Sequence, residues 1–266
     1  MGALAAAAPA SPAQACPACA CPVCGGPARP APANRHGRVV AGCAACGHHF
    51  VANPWSEAEI RSFYQGMEYF RKNCAHQGIA SIEDDAAWQG WTAHRLGQIE
   101  RLLLPRLGPG PLRILEVGCL EGRVLRGLAR MGHSVSGCDV NAEVAALGAR
   151  LFGLDIRPGS PEECGFEPAS FDAVISFHTL EHLRDPFAAL EAQRELVHPG
   201  GAVFLEVPLN EADHDNRDHL HFFSEASLEQ ALRRLFPRFE TEANVFADAS
   251  GRAIGSALAL AFKDAP

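Results

Sequence analysis

The stretch that decides the fold is ILEVGCLEGRVLRGL, residues 114–128. An apolar run, ILEV, leads into Gly118 and passes through Cys119, Leu120 and Glu121 to Gly122. It then continues as RVLRGLARMG, with apolar residues at helical spacing. That order spells a buried strand, a tight turn and a helix. Gly118 takes up the turn and lets the backbone approach a ligand, and Gly122 lets the helix start close against the strand.

Working outward, strand and helix patterns alternate from residue 112 to the end. SVSGCDV reads as a strand and AEVAALGARLFG as a helix closed by Gly153. LDIRPG and SFDAVISF read as strands, and DPFAALEAQRELV as a helix capped by Asp185 with Pro186 in its first turn. GAVFLEVP is a strand, SEASLEQALRRLF a helix capped by Ser224, and RFETEANVF and GSALALAFK an expected antiparallel hairpin. Such alternation means a Rossmann-like, doubly wound α/β sheet, whose ligands sit beyond the carboxyl ends of the strands.

Asp139 closes the second strand of this series, where a carboxylate can accept both hydroxyls of a ribose. The turn spacing, Gly118-x-x-x-Gly122, departs from the G-x-G-x-x-G of pyrophosphate binders, and Glu121 at the helix start would repel a pyrophosphate. A cationic sulfonium nucleoside carries no phosphate and tolerates that acid.

LEVGCLEG, GCDVN, FDAVISFHTLEHL, DPFAAL and LVHPGG follow one another across residues 112–207. In this order and spacing the run resembles the class I S-adenosylmethionine-dependent methyltransferases. The resemblance implies a seven-stranded sheet with its last strand antiparallel. It implies that Glu116 to Gly122, Cys119 included, wrap the methionine part of S-adenosylmethionine, that Asp139 holds the ribose and that Val140 packs on adenine. Residues Ser160–Glu162 would line the adenine edge, and Phe177 and His178 would follow the fourth strand beside the methionine. Leu120 stands where glycine is commoner in that family, and its side chain is expected to point away from the cofactor. Ser160 stands where many members place an acid.

The chain has ten cysteines, crowded towards residues 16–46. CPVCG and CAACG give Cys21-x₂-Cys24 and Cys43-x₂-Cys46, two knuckles whose separation fits a four-cysteine zinc ribbon with a closed, structural Zn2+ site. Cys16 and Cys19 form a second-ranked pair without the trailing glycine. His48 and His49 are reserve ligands, with surface histidines the preferred reading. Cys74, Cys119, Cys138 and Cys164 are isolated, expected to be buried or neutral thiols, with packing the expected role of Cys119 in the cofactor turn. Ribbon, then NPWSEAEIRSFYQGMEYF, then the α/β domain is similar to the zinc-ribbon methyltransferases of sugar and natural-product modification. The sugar C-methyltransferases among them carry a further C-terminal domain that does not appear in this sequence. The expected organisation is a disordered Ala/Pro tail (1–20), zinc ribbon (21–53), helical cap and linker (54–108) and methyltransferase domain (109–266). The cap should hold one helix over 55–73, N-capped by Ser56, and another near 86–106.

Candidate bases belong at the carboxyl ends of the fourth and fifth strands. His178 directly follows the fourth strand and is the first choice. Glu181 and His182 belong to LEHL, which the resemblance places near the site, with a structural role in fixing the following helix the preferred reading. The loop DHDNRDHLHFFS supplies His214, His219 and His221, although its spacing gives no support to a histidine-bound catalytic metal. Tyr64 and Tyr69 in the cap could cover a sulfonium by cation–π contact, with core packing the alternative.

The formal charge of −8 argues against a broad nucleic-acid or membrane-binding surface, and no apolar run is long enough to span a bilayer. The N-terminus lacks the basic region of a signal peptide, so the expected location is cytoplasmic. The leading expectation is methyl transfer to a small-molecule acceptor, natural-product or sugar-like. An RNA base methyltransferase stays open through Arg29, Arg35 and Arg38 around the ribbon, as does a non-catalytic cofactor-binding or partner-binding protein.

Overall fold

The computed structural model describes residues 19–31, 38–76, 85–209, 216, 218–247 and 253–264. Cys16, Arg35, His214 and most of the expected tail lie outside them. Strands β1 (Cys19–Ala20), β2 (Pro27–Pro30), β3 (Val40–Cys43) and β4 (His49–Val51) open the chain. Helices α1 (Glu57–Tyr64), α2 (Met67–His76) and α3 (Asp85–Gln98) follow, then a π turn (Ile99–Leu103) and α4 (Leu104–Leu107). The alternating part runs β5 (Arg113–Val117), α5 (Arg123–Arg130), β6 (Ser134–Asp139), α6 (Ala142–Phe152), β7 (Asp155–Pro158) and β8 (Phe171–Phe177). After a 3₁₀ turn (Leu180–His182) it continues with α7 (Pro186–Leu196), β9 (Val197–Leu209), β10 (His221–Phe222), α8 (Glu225–Leu235), β11 (Arg238–Ala247) and β12 (Ala253–Phe262).

Seven strands form one sheet in the order β11-β12-β9-β8-β5-β6-β7. β12 pairs antiparallel with both β9 and β11, while the pairings from β9 across to β7 are parallel. The Rossmann-like sheet with its reversed last strand is therefore as expected. Strand order reverses between β5 and β8, which opens a crevice above their carboxyl ends.

Alternation along β5 divides the core. Leu115 and Val117 face α7 and α8 in one cluster with Leu190, Leu228 and Leu232. Ile114 packs on the other face with Val124, Leu128, Ile99 and Leu103. Each such fully buried leucine contributes roughly 1.5–3 kcal/mol of transfer free energy. Glu116 shares the Ile114 face but stands one pleat nearer the crevice, and this places a carboxylate at its floor.

Helix ends follow local chemistry. Asp185 accepts from the backbone N–H groups of Phe187 and Ala188 at 3.0 and 2.9 Å, and Ser224 caps α8 by accepting from Ser227 N. Ser56 caps α1 in a reciprocal box with Glu59. The single helix expected over 55–73 is instead two, broken at Gln65 and Gly66, where Gly66 has φ +81°. Apolar periodicity runs through the break. What holds the break open is remote: Asn141 Nδ2 donates to the carbonyls of Tyr64 and Gly66 at 2.6 and 2.9 Å.

The second sheet has the order β1-β2-β3-β4-β10. Its first strand takes in Cys19 and Ala20, so this sheet includes residues ahead of 21. Its fifth strand, β10, comes from the loop after β9, so the cysteine module and the α/β part share a sheet. Among the described residues no helix is long and apolar enough to cross a membrane.

Candidate active site and four-cysteine centre

The crevice is a cavity of about 1000 Å³, lined on one side by the β5 and β6 turns and on the other by the cap and the loop before β10. Gly118 leaves β5 at φ +74°, and a Cβ there would lie 2.5 Å from Thr179 Oγ1. The backbone is thus both left-handed and pressed on the β8 loop, a place only glycine fills. Leu120 is left-handed too, at φ +51°, which accounts for glycine being the easier residue there. Its side chain packs with Phe70, Cys74, Trp88 and Val144 under the cap, although the residue still contributes to the cavity wall.

Asp139 stitches the two turns together. Its Oδ2 accepts from Leu120 N and its Oδ1 from Asn141 N, both at 2.8 Å. Burial raises its carboxyl above the ordinary range, against the pull of those two amides. Val140 and Ser160 complete this end, with Gln65 Nε2 donating to Val140 O at 2.6 Å and so fastening the cap over it. Cys119 also lines the cavity, its thiol raised by burial and packed near Leu125 and Ile156.

Two expected features lie elsewhere. Gly122 caps α5 outside the cavity wall, and a Cβ on it would meet Ile156 Cδ1 at 2.5 Å. Glu121 is buried and paired with Arg123 Nε at 2.6 Å, which cancels the charge expected to face a phosphate. What disfavours a pyrophosphate is therefore the glycine spacing, not this acid.

At the floor Glu116 keeps a buried Oε2 with no hydrogen-bond partner, and burial pushes its carboxyl well above the usual range. Arg95 of α3 pairs with Glu206 of β9 and lies over the Phe177 ring, 4.5 Å from its centroid. Ser256 Oγ of β12 donates to Glu206 at 2.5 Å. Arg95 and Glu206 carry no motif. Their only signal was a charge inside apolar text: a glutamate within VFLEVP, and an arginine on a helix otherwise read as a cover.

The third wall brings the histidines together. His178, at φ +49°, donates its N–H to Glu206 O, and its Nδ1 lies 3.3 Å from Glu181 Oε1. His182 Nε2 and His219 Nε2 stand 3.8 and 4.0 Å from the same oxygen. Glu181 has no solvent exposure, and burial would raise its carboxyl, but the three imidazoles overcome this and hold it at about 2. Burial lowers His182 below its usual value. Tyr64 Oη is 2.8 Å from His182 Nδ1, and Tyr69 Oη donates to Asp218 at 3.0 Å. The tyrosine rings pack edge to face, 4.8 Å apart, so both line the cavity and pack on each other.

In the cysteine module the Sγ atoms of Cys21 and Cys46 are 3.7 Å apart and those of Cys24 and Cys43 3.5 Å apart. All four lie within 4.8 Å of one another. A tetrahedral zinc site with bonds near 2.3 Å has sulfur–sulfur edges of roughly 3.8 Å, so the donors fit. Burial opposes ionisation of Cys43, but the amides of Cys46 and Ala45 bring it down to about 7. His48, expected at the surface, is fully buried; its Nε2 lies 3.0 Å from His221 Nδ1. His48 seals the join between β4 and β10, which residue type alone could not indicate.

A glycine turn, a strand-end acid and a polar far wall around one crevice define an α/β nucleoside-cofactor site. The comparisons narrow the class: the family model described as a methyltransferase domain matches residues 89–235, and the chain belongs to that family. It is 40% identical over 107 residues to the ubiquinone biosynthesis O-methyltransferase of Xanthomonas axonopodis pv. citri, covering 38% of this chain and 44% of that protein. To the enzyme of that name from Cereibacter sphaeroides it is 40% identical over 97 residues, 35% of this chain and 39% of that one. The chain thus spans less than half the length of these curated relatives. Among solved structures, the [4+2]-cyclase SpnF superposes with a TM-score of 0.60 at 16% identity, over 81% of this chain and 99% of that one. The putative methyltransferase complexed with the Trm112 activator of Haloferax volcanii superposes at 0.51 and 19% identity, over 70% and 99%. At such identities these two speak for the fold.

Proposed function

We propose that the protein transfers a methyl group from S-adenosylmethionine to a hydroxyl of a small-molecule acceptor. One observation carries this: a single cavity joins the Gly118–Asp139 cradle to the Glu181 histidine cluster. The cradle suits the cofactor because Gly118 leaves a groove that a Cβ would fill, and because the orphaned Glu116 oxygen awaits a donor such as an ammonium. When bound, the cofactor supplies an electrophilic methyl on a sulfonium. Asp139 accepts from the ribose, Val140 and Ser160 border the adenine, and Arg95 steadies the methionine end with Phe177. Tyr64 and Tyr69 close the cavity from the cap. His178, a third exposed and aimed at two buried carboxylates, accepts the acceptor's proton, and His182 and His219 shape the pocket around it. Oxygen is favoured as the methylated atom by the names of the curated relatives. Cys21, Cys24, Cys43 and Cys46 hold a structural zinc in the ribbon (21–53), with the cap (54–108) lying over the methyltransferase domain (109–266).

Calorimetry with S-adenosylhomocysteine tests the cradle, and absence of binding at millimolar ligand sinks the reading. A panel of phenolic and sugar hydroxyl acceptors assayed with labelled cofactor tests the transfer. RNA retention that falls steeply with salt would redirect it to nucleic acid.

A further inference from the structure

Glu181 poses a problem that the methyl-transfer reading leaves open. Its carboxylate is completely buried; the nearest imidazole, that of the partly exposed His178, stands 3.3 Å from Oε1, and neither oxygen is in a well-formed hydrogen bond. A buried, unpartnered charge costs several kcal/mol unless a counter-charge reaches it. The imidazole nitrogens of His182 and His219 do face Oε1, at 3.8 and 4.0 Å, beyond the roughly 2.7–3.2 Å of a hydrogen bond. They sit at the separation of atoms sharing a metal ion: with bonds near 2.1 Å, neighbouring ligands are roughly 3.0–4.2 Å apart. One donor atom from each of the three residues falls within a 4.8 Å group.

The imidazole contacts are compatible with an ion. His182 Nδ1 lies 2.8 Å from Tyr64 Oη, which can donate or accept, and 3.3 Å from the Asp218 carbonyl, which can only accept; in the tautomer protonated on Nδ1, the Nε2 lone pair is turned to Glu181. His219 Nε2 lies 2.7 Å from Asn216 Nδ2, an amide donor, so it too presents a lone pair, which Asn216 would yield to an ion. The loop is tied in place by Leu220 N donating to Glu181 O at 2.7 Å.

We infer that Glu181, His182 and His219 form a second metal site, distinct from the four cysteines, that holds a first-row divalent cation at the acceptor end of the cavity. Two imidazoles and one carboxylate suit Zn2+, Mn2+, Fe2+ or Co2+; Mg2+ and Ca2+ prefer all-oxygen shells. His182 and His219 line the cavity, so an open coordination position would take an acceptor hydroxyl and make it more acidic. That catalytic use rests on the methyl-transfer reading; the metal site itself does not.

Mn2+ is the discriminating probe, because it avoids the thiolates of the ribbon. The full chain, stripped of loosely held metal, is titrated with Mn2+ while the electron paramagnetic resonance of the free ion is followed. The expected result is one Mn2+ removed from solution per chain, competed by Zn2+. Glu181→Gln and, as a second variant, His219→Gln should each weaken this at least tenfold, with the ribbon's zinc content unchanged by elemental analysis. No Mn2+ uptake by the wild-type chain, or uptake that neither variant alters, overturns the inference. S-adenosylhomocysteine calorimetry on the same samples separates the two readings. Cofactor binding without Mn2+ uptake defeats the metal alone, and Mn2+ uptake without cofactor binding defeats methyl transfer alone.

Discussion

Leu120 concentrates what one residue can tell. The turn was legible because its chemistry is local: Gly118, Asp139 and the run between them carry their constraint in adjacent text. The left-handed φ of Leu120 was not, because a leucine letter gives no sign of positive φ. Since its side chain packs under the cap and its N–H serves Asp139, Leu120→Gly should relieve backbone strain and lose some packing. S-adenosylhomocysteine affinity should stay within about tenfold, about 1.4 kcal/mol, by calorimetry. Gly118→Val adds a side chain where Thr179 already stands 2.5 Å from the first new carbon, so binding should vanish while the chain stays folded by circular dichroism. If the leucine change abolishes binding, the placement of the cradle is wrong. Arg95 and Glu206 escaped sequence reading for the opposite reason: their pairing crosses from helix to sheet over a long chain separation.

At the scale of elements, the break between α1 and α2 and the join between β4 and β10 have one explanation. Each is held by a residue remote in sequence. Asn141 caps α6 through Oδ1 and holds the helix break through Nδ2. The two roles separate by substitution. Asn141→Asp keeps the cap but removes both donors, whereas Asn141→Ala removes everything and should cost a further ~1 kcal/mol or so in urea unfolding. An Asn141→Asp chain as stable as the parent would mean that the break does not depend on this side chain. At the β4–β10 join, burial pulls His221 down to about 4 and His48 well below its ordinary range, so both are neutral in the fold. Unfolded histidine titrates near 6.5, so between pH 6.5 and 4 the unfolded chain binds more protons. Stability is therefore full above pH 6.5 and falls through that window, by up to about 3 kcal/mol for His221. Urea midpoints measured against pH should slope accordingly, and His221→Phe should flatten the slope.

The architecture of the whole molecule was open to sequence because strands and helices alternate cleanly, and the cysteine knuckles were open because metal ligands need fixed spacing. That the cysteine module shares a sheet with the segment flanking the cavity was not, since it depends on β10, a two-residue strand with no pattern of its own. β10 pairs with β4, two residues beyond His219, and Val51 N donates to Leu220 O at 2.8 Å. The cysteine module thus backs the loop that carries His219, whereas the Gly118–Asp139 turns are held by β5, β6, Thr179 and the cap and make no such contact with β4 or β10. Disturbing the cysteine site should accordingly act on one end of the cavity only. Chelators are the wrong tool, because they would strip the Glu181 cluster as well. Cys43→Ser removes one thiolate from the closed set and leaves Glu181, His182 and His219 intact. Its expected signature is loss of ribbon zinc, S-adenosylhomocysteine affinity within about threefold of the parent, and a transfer rate down by tenfold or more. Loss of both functions together would mean global unfolding, which the variant's thermal transition reports directly. Full transfer activity in a zinc-free Cys43→Ser chain would show that the ribbon is not what keeps the histidine loop in place.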